Sequence, residues 1–298
     1  MLERLRKAYV FFLAGFGSEY SLAPIARYLA KNGFAVVEAD MQNGPLPPQP
    51  RQPTVFISSQ HPACSSSVFK HHWGRSPPYS NYLGPLEIIR HLRPACSVFV
   101  PHDLDMPIRP DELTYMSMFD IYCAPSPKVN PVLRRSCRVV PAGWVKHNLF
   151  DDLGEDMKAR VATGGVFFLN QVVDLMRAGG AGFVRAHYPR ICSGELPVKL
   201  PAWPGCNQLG DDLRQMGATV IATETPSTKL IAASPRIYVN APGSVIAEAW
   251  HVGTPVILAG ESGHPDRPLT PVQTVPASST FDFDGLLTAI ANHIEDSP

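Results

Sequence analysis

The stretch Tyr9–Glu38 reads YVFFLAGFGSEYSLAPIARYLAKNGFAVVE. Tyr9–Ala14 is apolar at every position, the pattern of a short strand buried on both faces of a sheet. Gly15-Phe16-Gly17-Ser18 breaks the run. From about Ser21 to Lys31, Leu22, Ile25, Ala26 and Leu29 recur at i, i+3, i+4 and i+7, which makes one apolar stripe along a helix. Asn32-Gly33 supplies its stop, and Phe34–Glu38 is a second strand-like run. Strand, helix and strand in so short a span predict a parallel β-α-β unit.

The same alternation continues outward. Thr54–Ser58, Ser97–Val100, Asp120–Ala124 and Arg138–Pro141 read as further strands, and Leu83–Leu92 as a helix with Pro85 in its first turn. Residues 60–82 read as a long loop. A second series begins near Gly164: strands over Gly165–Leu169, Gly182–Arg185, Thr219–Ala222, Arg236–Asn240 and Pro255–Ala259, with helices over Gln171–Arg177, Asp211–Met216, Thr225–Ala233 and Ser244–His251. A Pro/Gly-rich loop is expected over 189–210 and a last helix over Gly285–Ile294. The expectation is an α/β protein of two Rossmann-like domains facing a cleft, residues 1–150 and 151–298.

Bulk composition fits that reading. The chain has 298 residues, 45% hydrophobic and 17% charged, enough for two domains with real cores. The 31 prolines are roughly double the usual ~5% share and imply stiff connections. With 26 basic and 26 acidic residues the net charge is zero, which gives no support for a nucleic-acid partner. A weakly charged surface leaves peripheral contact with a membrane open. Arg4–Lys7 followed by apolar residues to Phe16 has the order of a signal peptide. The Gly turn, amphipathic helix and second apolar run that follow favour a buried strand instead. The six cysteines form no CxxC pair and read as reduced thiols of a cytoplasmic protein. His61, Cys64, His71 and His72 have no standard zinc spacing, so no metal is expected.

The sharpest chemical signal is Asn240-Ala241-Pro242-Gly243-Ser244-Val245-Ile246-Ala247-Glu248-Ala249. A strand passes into a helix through a Gly-Ser step, and amides at a helix start attract phosphate. Glu248 follows one turn after Ser244, and His251 three residues later, on the same side. Phosphate at the helix start with ribose at the carboxylate suits a nucleotide; a plain cap with a solvated Glu is the alternative. His187 is expected beyond a strand's carboxyl end, where ligands of parallel sheets bind. Gly15-Phe16-Gly17 with Tyr20 half-matches the dinucleotide fingerprint, whose third position should be Gly or Ala. A tight turn that places Gly15, Gly17 and Glu19 on a cleft-facing loop is the alternative to an NAD site. His102 and Asp103 follow the SVFV strand at a sheet edge and are the candidate general bases, with Glu19 and His61 at similar edges. Asp103-Leu104-Asp105 is too short a pattern to assign a metal.

Arg185-Ala186-His187-Tyr188-Pro189, together with Gly243-Ser244-Val245-Ile246-Ala247-Glu248-Ala249-Trp250-His251-Val252-Gly253-Thr254-Pro255-Val256-Ile257, resembles the nucleotide-binding half of GT-B glycosyltransferases. The flavour is that of bacterial capsule and Kdo transferases and CDP-glycerol glycerophosphotransferases. The resemblance spans about residues 164–260. It implies that His187, Gly243 and Ser244 hold donor phosphates, that Glu248 holds the ribose, and that the base comes from the first half. It further implies no cofactor beyond a nucleotide-activated co-substrate, no bound metal, and a glycan or lipid-linked acceptor. The expected activity is transfer of a sugar or polyol phosphate, in the cytoplasm or at the inner face of the membrane. Tyr188 splits the family's adjacent His-Pro, and Gly243 replaces its second Ser or Thr. An epimerase of the UDP-GlcNAc 2-epimerase type and a non-catalytic nucleotide- or protein-binding module therefore stand as alternatives.

Overall fold

The computed structural model describes residues 2–15, 21–40, 48–60, 65, 84–102, 116–125, 133–151, 153, 164–201, 206–270 and 280–297. The chain divides into two compact units, Met1–Leu149 with Pro276–Pro298, and Phe150–Val275.

Among its described residues the first unit carries helices α1 (Leu2–Ala8), α2 (Ala23–Lys31), α3 (Pro85–Leu92) and α4 (Leu133–Ser136), and six strands. These are β1 (Val10–Gly15), β2 (Ala35–Asp40), β3 (Thr54–Ser58), β4 (Cys96–Phe99), β5 (Ile121–Ala124) and β6 (Arg138–Pro141). They pair in the order β2-β1-β3-β4-β5-β6, all parallel. The order reverses between β1 and β3, which makes the carboxyl ends of those two strands the topological switch point.

The uninterrupted apolar runs are explained by burial on both faces. Phe11, Leu13, Val55, Ile57 and Val98 enter one core cluster with the α2 stripe of Leu22, Ile25, Ala26 and Leu29. Phe12, Ala14, Phe56 and Phe99 enter the other, with Ile88 and Leu92 of α3. Alternate side chains of a strand point to opposite faces, so neither face can be polar. Arg4–Lys7 belongs to α1 and not to the apolar run that follows it. Among the described residues no helix is long and apolar enough to cross a membrane.

The second unit carries α5 (Val172–Arg177), α6 (Ala181–His187), α7 (Pro189–Cys192), α8 (Cys206–Gln215), α9 (Ser227–Ala233) and α10 (Ser244–His251). Its strands are β7 (Val166–Phe168), β8 (Val198–Lys199), β9 (Val220–Ile221), β10 (Ile237–Val239), β11 (Val256–Leu258) and β12 (Arg267–Leu269). The order is β12-β11-β10-β7-β8-β9. Only β12 runs antiparallel, and its Pro268 is tolerated at the sheet edge. From β7 to β11 this is the doubly wound 3-2-1-4-5 arrangement, with its switch point between β7 and β10. Gly165 opens β7 at φ +107°, and a Cβ there would lie 2.4 Å from the Arg236 carbonyl oxygen, so only glycine fits. Phe167, Val198 and Tyr238 pack under α5 to α8. Val166, Phe168, Ile237, Val239 and Val256 pack under α9 and α10. Both units are thus three-layered α/β structures with parallel-rich sheets, as the alternation predicts.

Three expectations are corrected. Gly182–Arg185 is not a strand but lies within α6. Its Ala181 and Val184 are three residues apart and buried on one side, whereas a strand would have sent Phe183 and Val184 to opposite faces. The 189–210 loop is interrupted by α7, β8 and the start of α8. The tail does not stay with the second unit. The last helix, α11 (Phe283–Asp296), belongs to the first unit, where Leu286, Leu287, Ala289, Ile290 and Ala291 cover the core face shared with Phe11 and Val98.

Candidate functional site

The second unit's switch point is built from two asparagines. Asn170 follows β7 and Asn240 follows β10. The Asn170 backbone N–H donates to Asn240 Oδ1 at 2.6 Å, and Asn240 Nδ2 donates to the Asn170 carbonyl at 3.0 Å. Asn170 Nδ2 donates in turn to the Ala241 carbonyl at 2.9 Å. These bonds tie together two loops that diverge from neighbouring strands, and they set the entry to α10.

The helix α10 begins at Ser244 with Gly243 as its N-cap, in extended backbone (φ −173°, ψ 170°) and with no side-chain cap. Ser244 is therefore the first helical residue, not the cap. Gly243 is exposed, and a Cβ on it would approach Asn170 Nδ2 to 3.0 Å and Cγ to 3.2 Å. Glycine lets the Asn170 amide lie against the helix entry. Val245, Ile246 and Ala249 fill the core beneath. Glu248 is 3% exposed, so it is not the solvated carboxylate that a plain surface helix would carry. His251 faces the Phe150 ring at 5.8 Å.

His187 closes α6 and does not follow a strand. Its carbonyl accepts from Ser262 N–H at 2.8 Å, which sets it beside the loop after β11. Its ring stacks on Phe183 with centroids 4.0 Å apart, and Nδ1 lies 3.1 Å from Glu261 Oε2. None of these partners belongs to α10.

Lys199 escapes a reading by motif. It is the last residue of the two-residue β8, between the ends of β7 and β9, and it is buried. Its Nζ donates to the carbonyls of Ala222 at 2.9 Å and Thr223 at 2.6 Å. Burial pushes the ammonium down to about 8, with Glu224 partly opposing the shift. The one signal for it is a lysine set between Val198 and Leu200 and bracketed by Pro197 and Pro201.

In the first unit, His102 lies beyond the carboxyl end of β4. Its Nδ1 donates to the Ser59 carbonyl at 2.8 Å, and the Trp144 indole N–H donates to the His102 carbonyl at 3.3 Å. A carbonyl only accepts, so Nδ1 carries a proton. Ser59 Oγ also meets Ser21 Oγ at 2.8 Å, both buried. His102, Ser59 and Ser21 thus gather next to the β1/β3 switch point, where Gly15 ends β1. Gly17, Glu19, His61, Asp103 and Asp105 lie outside the described residues, as do Cys64, His71 and His72. Cys96, Cys123, Cys137, Cys192 and Cys206 are free thiols.

No protein-family model matches the chain, and no curated protein does. Among solved structures, the glycosyltransferase SnogD from Streptomyces nogalater matches at TM-score 0.39 and 14% identity, over 84% of this chain and 80% of that one. A UDP-N-acetylglucosamine 2-epimerase from Rickettsia bellii matches at TM-score 0.45 and 10% identity, over 98% and 89%. The spinosyn rhamnosyltransferase SpnG complexed with spinosyn aglycone matches at TM-score 0.41 and 13% identity, over 85% and 80%. The chain's own topology defines its class: a protein of two doubly wound α/β units, each with a polar cluster at its switch point.

Proposed function

We propose that the protein is a GT-B-type transferase that moves a sugar, or a polyol phosphate, from a nucleotide-activated donor to a hydroxyl of a glycan or lipid-linked acceptor. The observation that supports this most directly is the Gly243–Ser244 entry to α10 at the β7/β10 switch point, held by the Asn170–Asn240 bridge. A helix start at the carboxyl edge of a parallel sheet is where doubly wound folds bind phosphorylated ligands. The donor diphosphate would lie on the amides of Gly243 and Ser244 and accept from the Ser244 hydroxyl, and Glu248 would take a ribose hydroxyl one turn on. His187 would approach from the end of α6, beside the loop after β11.

In sugar transfer, the acceptor hydroxyl gives its proton to the proposed base, His102 or Asp103. The oxygen bonds to the sugar's anomeric carbon, and the bond to the phosphate oxygen breaks with its electron pair leaving on the nucleoside diphosphate. The helix start stabilises the charge that develops there.

The test is a thermal-shift titration with CMP, CDP, UDP, GDP and NAD. A nucleotide at about 100 times its Kd adds roughly 2.7 kcal/mol to the folded state. A shift with one of them that is lost in Ser244→Ala supports the site and gives the donor class. No shift with any of them would remove the nucleotide site. A shift without transfer to any acceptor would leave a nucleotide-binding module.

A further inference from the structure

We infer that Cys96, Asp120 and His293 form a binding site for a borderline divalent cation of the Zn²⁺ class, at the edge of the first sheet opposite its switch point. Cys96 opens β4, Asp120 immediately precedes β5, and His293 lies near the end of α11. One ligand atom from each, a thiol sulfur, a carboxylate oxygen and a ring nitrogen, falls within 4.8 Å of the other two. Three different metal-binding side chains from three separate elements converge here, which acidic clustering alone does not produce.

The orientation of Asp120 is fixed from behind. Its Oδ2 accepts from the Ser97 N–H at 2.7 Å and from Ser97 Oγ at 2.8 Å. That leaves Oδ1 turned to His293 Nε2, 3.6 Å away. A charge-assisted hydrogen bond would close to about 2.7–2.9 Å, so the pair stands too far apart to bond directly. The separation suits two ligands of one tetrahedral ion: with metal–nitrogen and metal–oxygen bonds of about 2.0–2.1 Å, the ligand atoms lie roughly 3.4 Å apart. The Cys96 sulfur completes a face of that tetrahedron after a shift of about an ångström, with a metal–sulfur bond of about 2.3 Å.

The ligand set selects the ion. A thiolate and an imidazole favour Zn²⁺ and its neighbours over Mg²⁺ or Ca²⁺, which prefer oxygen alone. Thiolate and carboxylate together balance a charge of two, and a water would take the fourth position. Cys96 is buried, whereas the Asp120 and His293 side chains are 37% and 26% exposed, so an ion would reach the sulfur from solvent past these two. Bound there, it would clamp the returning helix α11 to the starts of β4 and β5. The site is independent of the transferase reading, because it lies at the other end of the strands.

The experiment uses the full chain, stripped with a chelator and titrated with Co²⁺. The expected result is a thiolate-to-cobalt charge-transfer band that saturates at one ion per chain, is displaced by Zn²⁺, and is lost in Cys96→Ser and His293→Asn. Ser97→Ala, which removes one of the two bonds that hold Asp120 Oδ2, should keep the band and weaken affinity by about tenfold. Cys137→Ser should leave it unchanged. Zn²⁺ should raise the melting temperature of the parent protein and not that of His293→Asn. No thiolate band in the parent protein would overturn the site, and so would a band that survives Cys96→Ser.

Discussion

Asn170 and Asn240 exchange hydrogen bonds across the second unit's switch point, backbone N–H to Oδ1 at 2.6 Å in one direction and Nδ2 to carbonyl at 3.0 Å in the other. One amide side chain therefore does for two diverging loops what ladder bonds do for the strands before them. Asn240→Ala removes a donor and an acceptor and leaves the Asn170 N–H and carbonyl to find water. The expected loss is about 2 kcal/mol in unfolding free energy by urea titration. Asn240→Asp keeps the acceptor but sets a carboxylate oxygen against the Asn170 carbonyl, so it should lie close to the alanine variant. An asparagine bridge that is merely incidental would give changes below about 0.5 kcal/mol for both.

Gly243 isolates the helix entry from the fold around it. Its φ of −173° is open to any residue, so alanine costs no backbone strain, only the approach of a Cβ to Asn170 Nδ2 at 3.0 Å. Gly243→Ala should cost about 1 kcal/mol of stability. It should also weaken nucleotide binding at least about tenfold, a difference of 1.4 kcal/mol, because the Asn170 amide must move aside and shift the helix entry whose amides would meet the phosphate. Urea unfolding reads the first number, and isothermal titration of parent and variant with the nucleotide that shifts the melting temperature reads the second. Unchanged affinity would move the phosphate away from Gly243.

His102, as the proposed base, gives a variant that would separate binding from turnover. Its Nδ1–H bond to the Ser59 carbonyl is a positioning contact that an asparagine amide can reproduce. His102→Asn should therefore fold and keep the nucleotide-induced melting shift, while initial transfer rates fall by about 10²–10⁴. A variant with parental rates would hand the base to another residue, and Asp103→Asn is the next substitution to assay.

Much of this architecture is legible from residues alone. β1 is a run of apolar side chains because both faces of its sheet are covered. α10 has the bounds Ser244–His251 that Gly243, the apolar pattern and Gly253 mark out. The misreadings have physical causes. Phe183-Val184 in α6 is too short an apolar pair to show a period, so strand and helix could not be separated there. β8 is two residues long, and its lysine breaks the apolar signal. The stripe on α11 states that the helix needs a surface to cover but not which one, and it covers the first sheet. By its spacing Glu248 reads as a ribose ligand or as a solvated carboxylate alike, and only the packing of α10 buries it.

Lys199 carries the pH prediction. Its ammonium is buried at the end of β8, and its folded value is depressed to about 8 from an ordinary 10.5. Between those values the unfolded chain holds a proton that the folded chain has released, so the slope of unfolding free energy against pH is positive. The charged lysine lowers stability at neutral pH, and that cost is relieved as pH rises from about 8 to about 10.5. The full relief is of the order of 3 kcal/mol. Other groups titrate in the same range, so the quantity to read is the difference between the parent and Lys199→Met, by urea unfolding at intervals across that window. The parent should gain on the variant as pH rises. A constant difference would mean that the ammonium is as well solvated in the folded chain as in the unfolded one, held by the Ala222 and Thr223 carbonyls at no net cost.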